Sequence, residues 1–308
     1  MEIALQFVLL ALGFVMLGKG ADWFVEGAAG IAMRFGIPQL VIGLTIVAMG
    51  TSAPEAAVSI AAAVKGNADI TIGNIVGSNI LNILVILGLA ASIVPIAVAR
   101  STVRIEIPFM IGVTALLFYQ GRDGSISLAD GGVLMVAFAV YMMYLYTMAM
   151  KSNVDSDLEE PGLPLGRCLL GAVGGLALII AGSNVTVGAA TSIATYAGLS
   201  ERFIGLTIVA LGTSLPELFT SVAAARRGNA DIAIGNIVGS NIFNILFVVG
   251  LSSLIIDIPF ASAFNFDTYV ALGAAVLLWL CVLRTQRLQR WAGALMLVCY
   301  VAYLGYIL

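Results

Sequence analysis

Residues 43–83 read GLTIVAMGTSAPEAAVSIAAAVKGNADITIGNIVGSNILNI, and residues 205–245 read GLTIVALGTSLPELFTSVAAARRGNADIAIGNIVGSNIFNI. Laid over one another without a gap, roughly three positions in four are identical, far more than a shared apolar bias produces. Each copy carries one glutamate, Glu55 or Glu217, in an otherwise apolar run. The same offset matches GIAMRFGIPQL at 30–40 with SIATYAGLSER at 192–202, so the duplication reaches beyond the quoted windows. It fades toward the end of each half, which marks those segments as lipid-facing packing.

Composition decides the solvent. Of the 308 residues 61% are hydrophobic and 10% charged, where a soluble domain has roughly 25% charged residues. A chain of this length cannot hide so much apolar side chain from water, so the reading is an integral membrane protein. There is no basic tract for nucleic acid. The absence of histidine argues against zinc chemistry and a histidine proton relay. Cys168, Cys281 and Cys299 show no metal-binding spacing and read as small core- or lipid-facing residues. The start MEIALQFVLLALGFVMLGKGADWF has no basic n-region, so no cleavable signal peptide is expected.

Apolar runs of spanning length fall near 3–32, 38–64, 70–94, 105–120, 127–149, 166–196, 203–225, 232–256, 266–283 and 290–307. The expected fold is therefore all-α, with ten transmembrane helices: five in 1–150, a short polar linker at 151–164 (KSNVDSDLEEPGLP), and five in 165–308. With the N-terminus outside, the inner loops collect Arg34, Arg100, Arg104, Lys151, Arg167, Arg226, Arg227, Arg284, Arg287 and Arg290, and the outer ones only Lys65, Arg122 and Arg202. That asymmetry predicts both termini outside a cell membrane and a cytoplasmic linker. Five spans is an odd number, so the second half enters from the opposite face and the repeats are inverted.

The chemistry concentrates in two motifs per copy. In GTSAPE, Pro54 cannot donate a backbone hydrogen bond, and Gly50 weakens the same turn. The break is expected to free carbonyls near Ala48 and Thr51, and irregular backbone at membrane depth is tolerated only where it is buried or lines a cavity. Thr51 and Ser52 precede Glu55 by four and three residues and share its helical face. A carboxylate, two hydroxyls and carbonyls are hard oxygen donors, suited to Ca²⁺ or Na⁺. Ala210, Thr213, Ser214, Pro216 and Glu217 repeat the set. In GNIVGSNILN, Asn74, Ser78 and Asn82 recur every four residues as a polar stripe, beside a Gly73/Gly77 step that permits close helix approach. Copy two repeats this with Asn236, Ser240, Asn244, Gly235 and Gly239. A mid-span acid costs about 2.5–3.5 kcal/mol on insertion scales, and no Lys or Arg within the repeated helix pairs offsets it. A bound cation would. Asp69 and Asp231 read as helix caps or mouth charges. Asp22 and Glu26 have no acidic counterparts at Asn184 and Gly188 and read as mouth or packing residues. Glu106 follows Arg104 near a boundary and reads as a surface charge.

At these residues the sequence resembles the Ca²⁺:cation antiporter superfamily and, within it, the prokaryotic sodium/calcium exchangers. GTSAPE with GNIVGSNILN, and GTSLPE with GNIVGSNIFN, are similar to that family's two alpha repeats. The resemblance implies Ca²⁺ between Glu55 and Glu217, assisted by backbone oxygens of Thr51 and Thr213. It implies flanking Na⁺ sites, one using Ala48, Thr51, Ser52 and Ser78 and its mirror using Ala210, Thr213, Ser214 and Ser240, with Asn82 and Asn244 completing the middle. Members of the family can carry Asp where Asn244 stands, so stoichiometry and counter-ion stay open. The resemblance also implies alternating access by sliding of the first and sixth helices.

The expectation is thus a secondary antiporter exchanging Ca²⁺ for Na⁺, with no catalytic activity, no cofactor, no nucleic acid and no obligatory protein partner. Its partners are the transported ions and membrane lipid. A Ca²⁺/H⁺ antiporter of the same architecture is the alternative. A cation channel or an intramembrane hydrolase using the acid pair is more distant.

Overall fold

The structure is a computed structural model and describes residues 2–66, 68–152, 163–198 and 210–307. Two long helices, α1 (Glu2–Phe35) and α7 (Leu165–Tyr196), lie against each other. Small residues at the contact let the backbones touch. A Cβ on Gly20 would stand 2.9 Å from the Gly175 carbonyl, and one on Gly27 would stand 2.4 Å from the Ala172 amide. Residues 13, 20 and 27 of α1 meet 182–186, 175–179 and 168–172 of α7, so the two helices run antiparallel.

Between α1 and α7 the chain forms α2 (Gln39–Thr51) and α3 (Ala53–Val64), bent by 51° at Ser52. It continues through α4 (Ile70–Ile93), α5 (Thr102–Asp123) and α6 (Leu128–Ser152). After α7 come α8 (Ala210–Thr213), α9 (Leu215–Arg226), α10 (Ala230–Ile255), α11 (Ala263–Leu283) and α12 (Arg290–Ile307). Eight of these helices are long and apolar enough to cross a membrane, and the bent α2–α3 pair makes a ninth. The expected span at 203–225 begins outside the described residues; α8 and α9 are its described part. Most of the 151–164 linker and Arg202 also lie outside them.

The core sits on α4 and α10, whose most apolar windows are 78% and 94% buried, against 17% for α1, α6 and α12. A helix apolar all round belongs inside, and a lipid-exposed one is apolar for its solvent. Four two-residue strands were not legible in the sequence. Ile96–Ala97 (β1) pairs antiparallel with Arg287–Leu288 (β4), and Ser125–Ile126 (β2) with Ile258–Pro259 (β3). Each ladder joins a strand of one half to one of the other. Because α5 runs from the β1 side to the β2 side, the ladders tie the halves together at opposite ends of the bundle.

Glu106 corrects the sequence reading. It is fully buried, not a surface charge, and Tyr144 of α6 donates a hydrogen bond to it. Two residues along a helix turn about 200°, so the exposed Arg104 and the inward Glu106 occupy opposite faces despite their adjacency. Cys168 and Cys281 are buried and Cys299 is half-buried; all three are free thiols.

Candidate functional site

The site begins at the bend. Ser52 and Ser214 end one helix and start the next, with near-identical backbone angles (φ −83°, ψ 7° and φ −89°, ψ 3°). Pro54 and Pro216 occupy the first turn that follows, where a missing donor is tolerated. Glu55 and Glu217 therefore lie in the first turns of α3 and α9, one turn from a helix N-terminus. Both are 1% exposed.

The two halves hold each other's acid. The Ser52 hydroxyl donates to Glu217 Oε1 at 2.8 Å, and the Ser214 hydroxyl donates to Glu55 Oε1 at 3.2 Å. The Thr51 and Thr213 side chains also address the opposite acids. Thr51 Oγ1 donates in addition to Asn236 Oδ1 at 3.0 Å. Asn74 and Asn236 each donate to a serine one turn past an acid, Ser59 and Ser221, both at 2.9 Å, and also reach the backbone carbonyl of Glu55 or Glu217. These bonds lock the carboxylate-bearing helices α3 and α9 onto α4 and α10.

The asparagines further along form a closed exchange. Asn79 donates to the Asn241 carbonyl and Asn241 to the Asn79 carbonyl, both at 3.2 Å. Asn82 donates to Asn241 Oδ1 at 2.9 Å, and Asn244 to Asn79 Oδ1 at 3.1 Å. With their NH₂ groups committed to the far half, Asn82 and Asn244 must turn their amide oxygens the other way. A π-helical turn starts at each, Asn82–Leu87 and Asn244–Val249, a distortion often found at functional sites. The turn at Asn82 packs against α9 and the turn at Asn244 against α3, the two helices that carry the acids.

What remains unmet is informative. Of the eleven buried side-chain atoms with no hydrogen-bond partner among the described residues, four are Glu55 Oε2, Glu217 Oε2, Asn82 Oδ1 and Asn244 Oδ1. All four are acceptors, they come in symmetric pairs, and an unpaired buried acceptor costs about 1–3 kcal/mol, more when charged. Among the described residues the ion pairs are those of Arg227 with Asp22 and Glu26, so no Lys or Arg pairs with either site acid. No cluster of three or more His, Cys, Asp or Glu could hold a metal among the described residues. A cation here must be met by two carboxylates completed with amide, hydroxyl and carbonyl oxygens, which suits a hard ion.

The expected residues sort as follows. Glu55, Glu217, Thr51, Ser52 and Ser214 are buried and bonded across the two halves around the acids, while Asn82 and Asn244 are buried in the separate asparagine exchange. Ser240 donates to the Ala48 carbonyl at 3.3 Å. Ser78 is buried on the mirror helix. Thr213 is half-buried and turned to Glu55. Ala210 is helical, and its side chain lies outside the described residues. The Ala48 carbonyl is not freed by the proline, as it accepts the Ser52 N–H at 3.0 Å. The donor that Pro54 lacks would have served Gly50, four residues back.

Asp231 lies in the first turn of α10, half-buried, while Asn229 is that helix's N-cap residue. The Asp69 side chain is outside the described residues. Asn79, Asn241, Ser59 and Ser221 were missed. They sit off the four-residue stripe, and their one sequence signal is that each is a polar residue recurring in both copies.

Known proteins are similar to this chain along nearly its whole length. The inner membrane protein YrbG of Escherichia coli (strain K12) is 37% identical over 96% of this chain and 95% of its own. The sodium/calcium exchanger MaX1 of Methanosarcina acetivorans is 33% identical over 98% of each. A solved structure of the sodium-calcium exchanger NCX_Mj, soaked with 2.5 mM Na⁺ and 10 mM Sr²⁺, superposes with a TM-score of 0.86 at 34% identity, covering 98% of this chain and 99% of that one. A family model described as sodium/calcium exchanger protein matches residues 5–147 and 168–308, and the chain belongs to that family of antiporters.

Proposed function

We propose that the chain exchanges Ca²⁺ for Na⁺ at one site in the middle of the membrane, reached alternately from either face. The observation that carries this reading is the set of four buried, unpartnered acceptor oxygens on Glu55, Glu217, Asn82 and Asn244. Two negative charges match one Ca²⁺ or two Na⁺, so either load neutralises the pocket and neither leaves it charged. Hydroxyls of Ser52, Ser214, Thr51 and Thr213 hold the carboxylates in place and, with the Ala210 carbonyl, Ser78 and Ser240, complete the flanking positions for Na⁺.

The architecture we propose is two inverted five-helix repeats, 1–150 and 165–308, joined by a cytoplasmic linker at 151–164, with both termini outside a cell membrane. The antiparallel packing of the equivalent helices α1 and α7 supports inversion, as does the exchange of serines between opposite acids. The decisive experiment is ⁴⁵Ca uptake into proteoliposomes under an imposed Na⁺ gradient. Uptake should follow the gradient and stop when Na⁺ is replaced by choline; uptake indifferent to Na⁺ refutes the coupling. A second reading, Ca²⁺/H⁺ exchange, is favoured by the single unpartnered oxygen on each acid, where a proton could reside. Uptake driven by a pH gradient without Na⁺ would select it.

One side of this site is clamped. Arg227 donates to Asp22 Oδ1 at 3.3 Å and Glu26 Oε2 at 3.1 Å, bridging α9 to α1. The repeat-related positions are Lys65, Asn184 and Gly188, with no carboxylate to form such a bridge. If α1 slides during exchange, the bridge must break. These groups are partly exposed, so each pair contributes about 0.2–1 kcal/mol. Arg227→Ala removes both pairs and should shift the balance between the two facing states by up to about 30-fold. The measurement is the labelling rate of a cysteine placed at Val222 on a background lacking the three native thiols. An unchanged rate would show that the bridge does not hold the helix.

A further inference from the structure

A cavity of about 540 Å³ opens between α1 and α9, and none of the four site oxygens lines it. That is ample for part of an organic ligand. Its walls are Phe14, Val15, Phe219 and Val222, and two of its lining groups are the cations Lys19 and Arg226. Phe14 and Val15 are 45% and 60% exposed on the face of α1 turned to lipid. Phe14 packs on Phe219, two residues past Glu217, with ring centroids 6.1 Å apart.

The charges here do not balance. Asp22 and Glu26 are both taken by Arg227. Lys19 and Arg226 have no ion-pair or hydrogen-bond partner among the described residues. Taking the acids as the midplane, Lys19 lies five residues from Phe14, about 7.5 Å toward the Arg34 end, and Arg226 lies nine residues past Glu217, about 13.5 Å out. Half the hydrocarbon thickness is about 15 Å. Arg226 thus stands at the headgroup level, and Lys19 must reach toward the same level along the groove. An uncompensated lysine inside the bilayer is expensive and calls for an anion. The repeat-related positions are Ala181 and Val64, so neither cation is duplicated in the other half.

We infer that this groove binds an anionic phospholipid of the leaflet that Arg226 faces, its acyl chain along Phe14, Val15 and Phe219 and its phosphate between Lys19 and Arg226. Basic pockets between membrane helices on the cytoplasmic side are suited to such headgroups. The lipid would occupy the seam between α1 and α9, beside the Arg227 bridge.

The test is native mass spectrometry of the full chain in detergent, titrated with dioleoyl-phosphatidylglycerol or dioleoyl-phosphatidylcholine. The wild-type chain should retain phosphatidylglycerol in clear preference. Lys19→Ala/Arg226→Ala should bind it about 30-fold more weakly, the effect expected from two charge contacts. Lys19→Arg/Arg226→Lys should keep the preference, which separates loss of charge from loss of fold. Equal retention of the two lipids by wild type, or unchanged retention by the double alanine variant, overturns the inference.

Discussion

Glu217→Gln should abolish calcium exchange, lowering ⁴⁵Ca uptake at a fixed Na⁺ gradient by at least about a thousandfold. The amide has the carboxylate's shape and can still accept the Ser52 hydrogen bond at its retained oxygen, so the helix bend and the packing of α9 should survive. What goes is one of the two charges facing the ion. Even at an effective dielectric near 20, one charge against a divalent ion at contact is an attraction of several kcal/mol, and about 4 kcal/mol is already a thousandfold in affinity. Replacing an orphaned carboxylate oxygen by an amide also risks pointing N–H donors at a cation. Glu55→Gln should behave alike, because the Ser214 bond and the unpartnered Oε2 are its mirror. Folding is checked by the thermal midpoint in detergent, which should stay near the wild-type value or rise as a buried charge is removed. Normal uptake by either variant would remove that acid from the site.

The repeat carried much of this into view before any coordinates. One offset places Glu55 on Glu217, Asn82 on Asn244 and even β1 on β3, although the two-residue strands themselves have no sequence signature. The bend was legible because proline removes a specific donor, but the carbonyl it spares is Gly50's, so the expectation for Ala48 failed on simple register. Glu106 was misread because its sequence neighbour Arg104 was taken as a spatial one, while the helix sends the two apart. The π-helical turns at Asn82 and Asn244 depend on how two helices from different halves pack, information no local window holds. Nor could spacing reveal the cation imbalance beside α1, since it depends on Arg227 reaching a helix 200 residues earlier in the chain and leaving Arg226 and Lys19 unpaired.

The same limit explains why Asn79 went unremarked, and its replacement should be nearly as damaging as loss of an acid. Asn79 touches no ion in this reading. Its Oδ1 holds the Asn244 amide nitrogen and its own nitrogen holds the Asn241 carbonyl. Asn79→Leu therefore strands a buried donor and a buried acceptor, each costing about 1–3 kcal/mol. It also frees the Asn244 amide to rotate, which would replace an acceptor facing the site with a donor. Uptake of ⁴⁵Ca should fall at least about tenfold, with a raised Ca²⁺ concentration for half-maximal rate, the signature of a mispositioned ligand. Asn79→Asp separates orientation from stability: as the neutral acid that burial favours, it keeps the acceptor for Asn244 and offers its O–H to the Asn241 carbonyl, so it should transport faster than Asn79→Leu at equal reconstituted amounts. Asn241 plays the mirror role for Asn82, and Asn241→Leu should match within a few-fold. Wild-type affinity in Asn79→Leu would show that the asparagine exchange merely fastens α4 to α10, and that the amide oxygens of Asn82 and Asn244 need no such alignment to meet an ion.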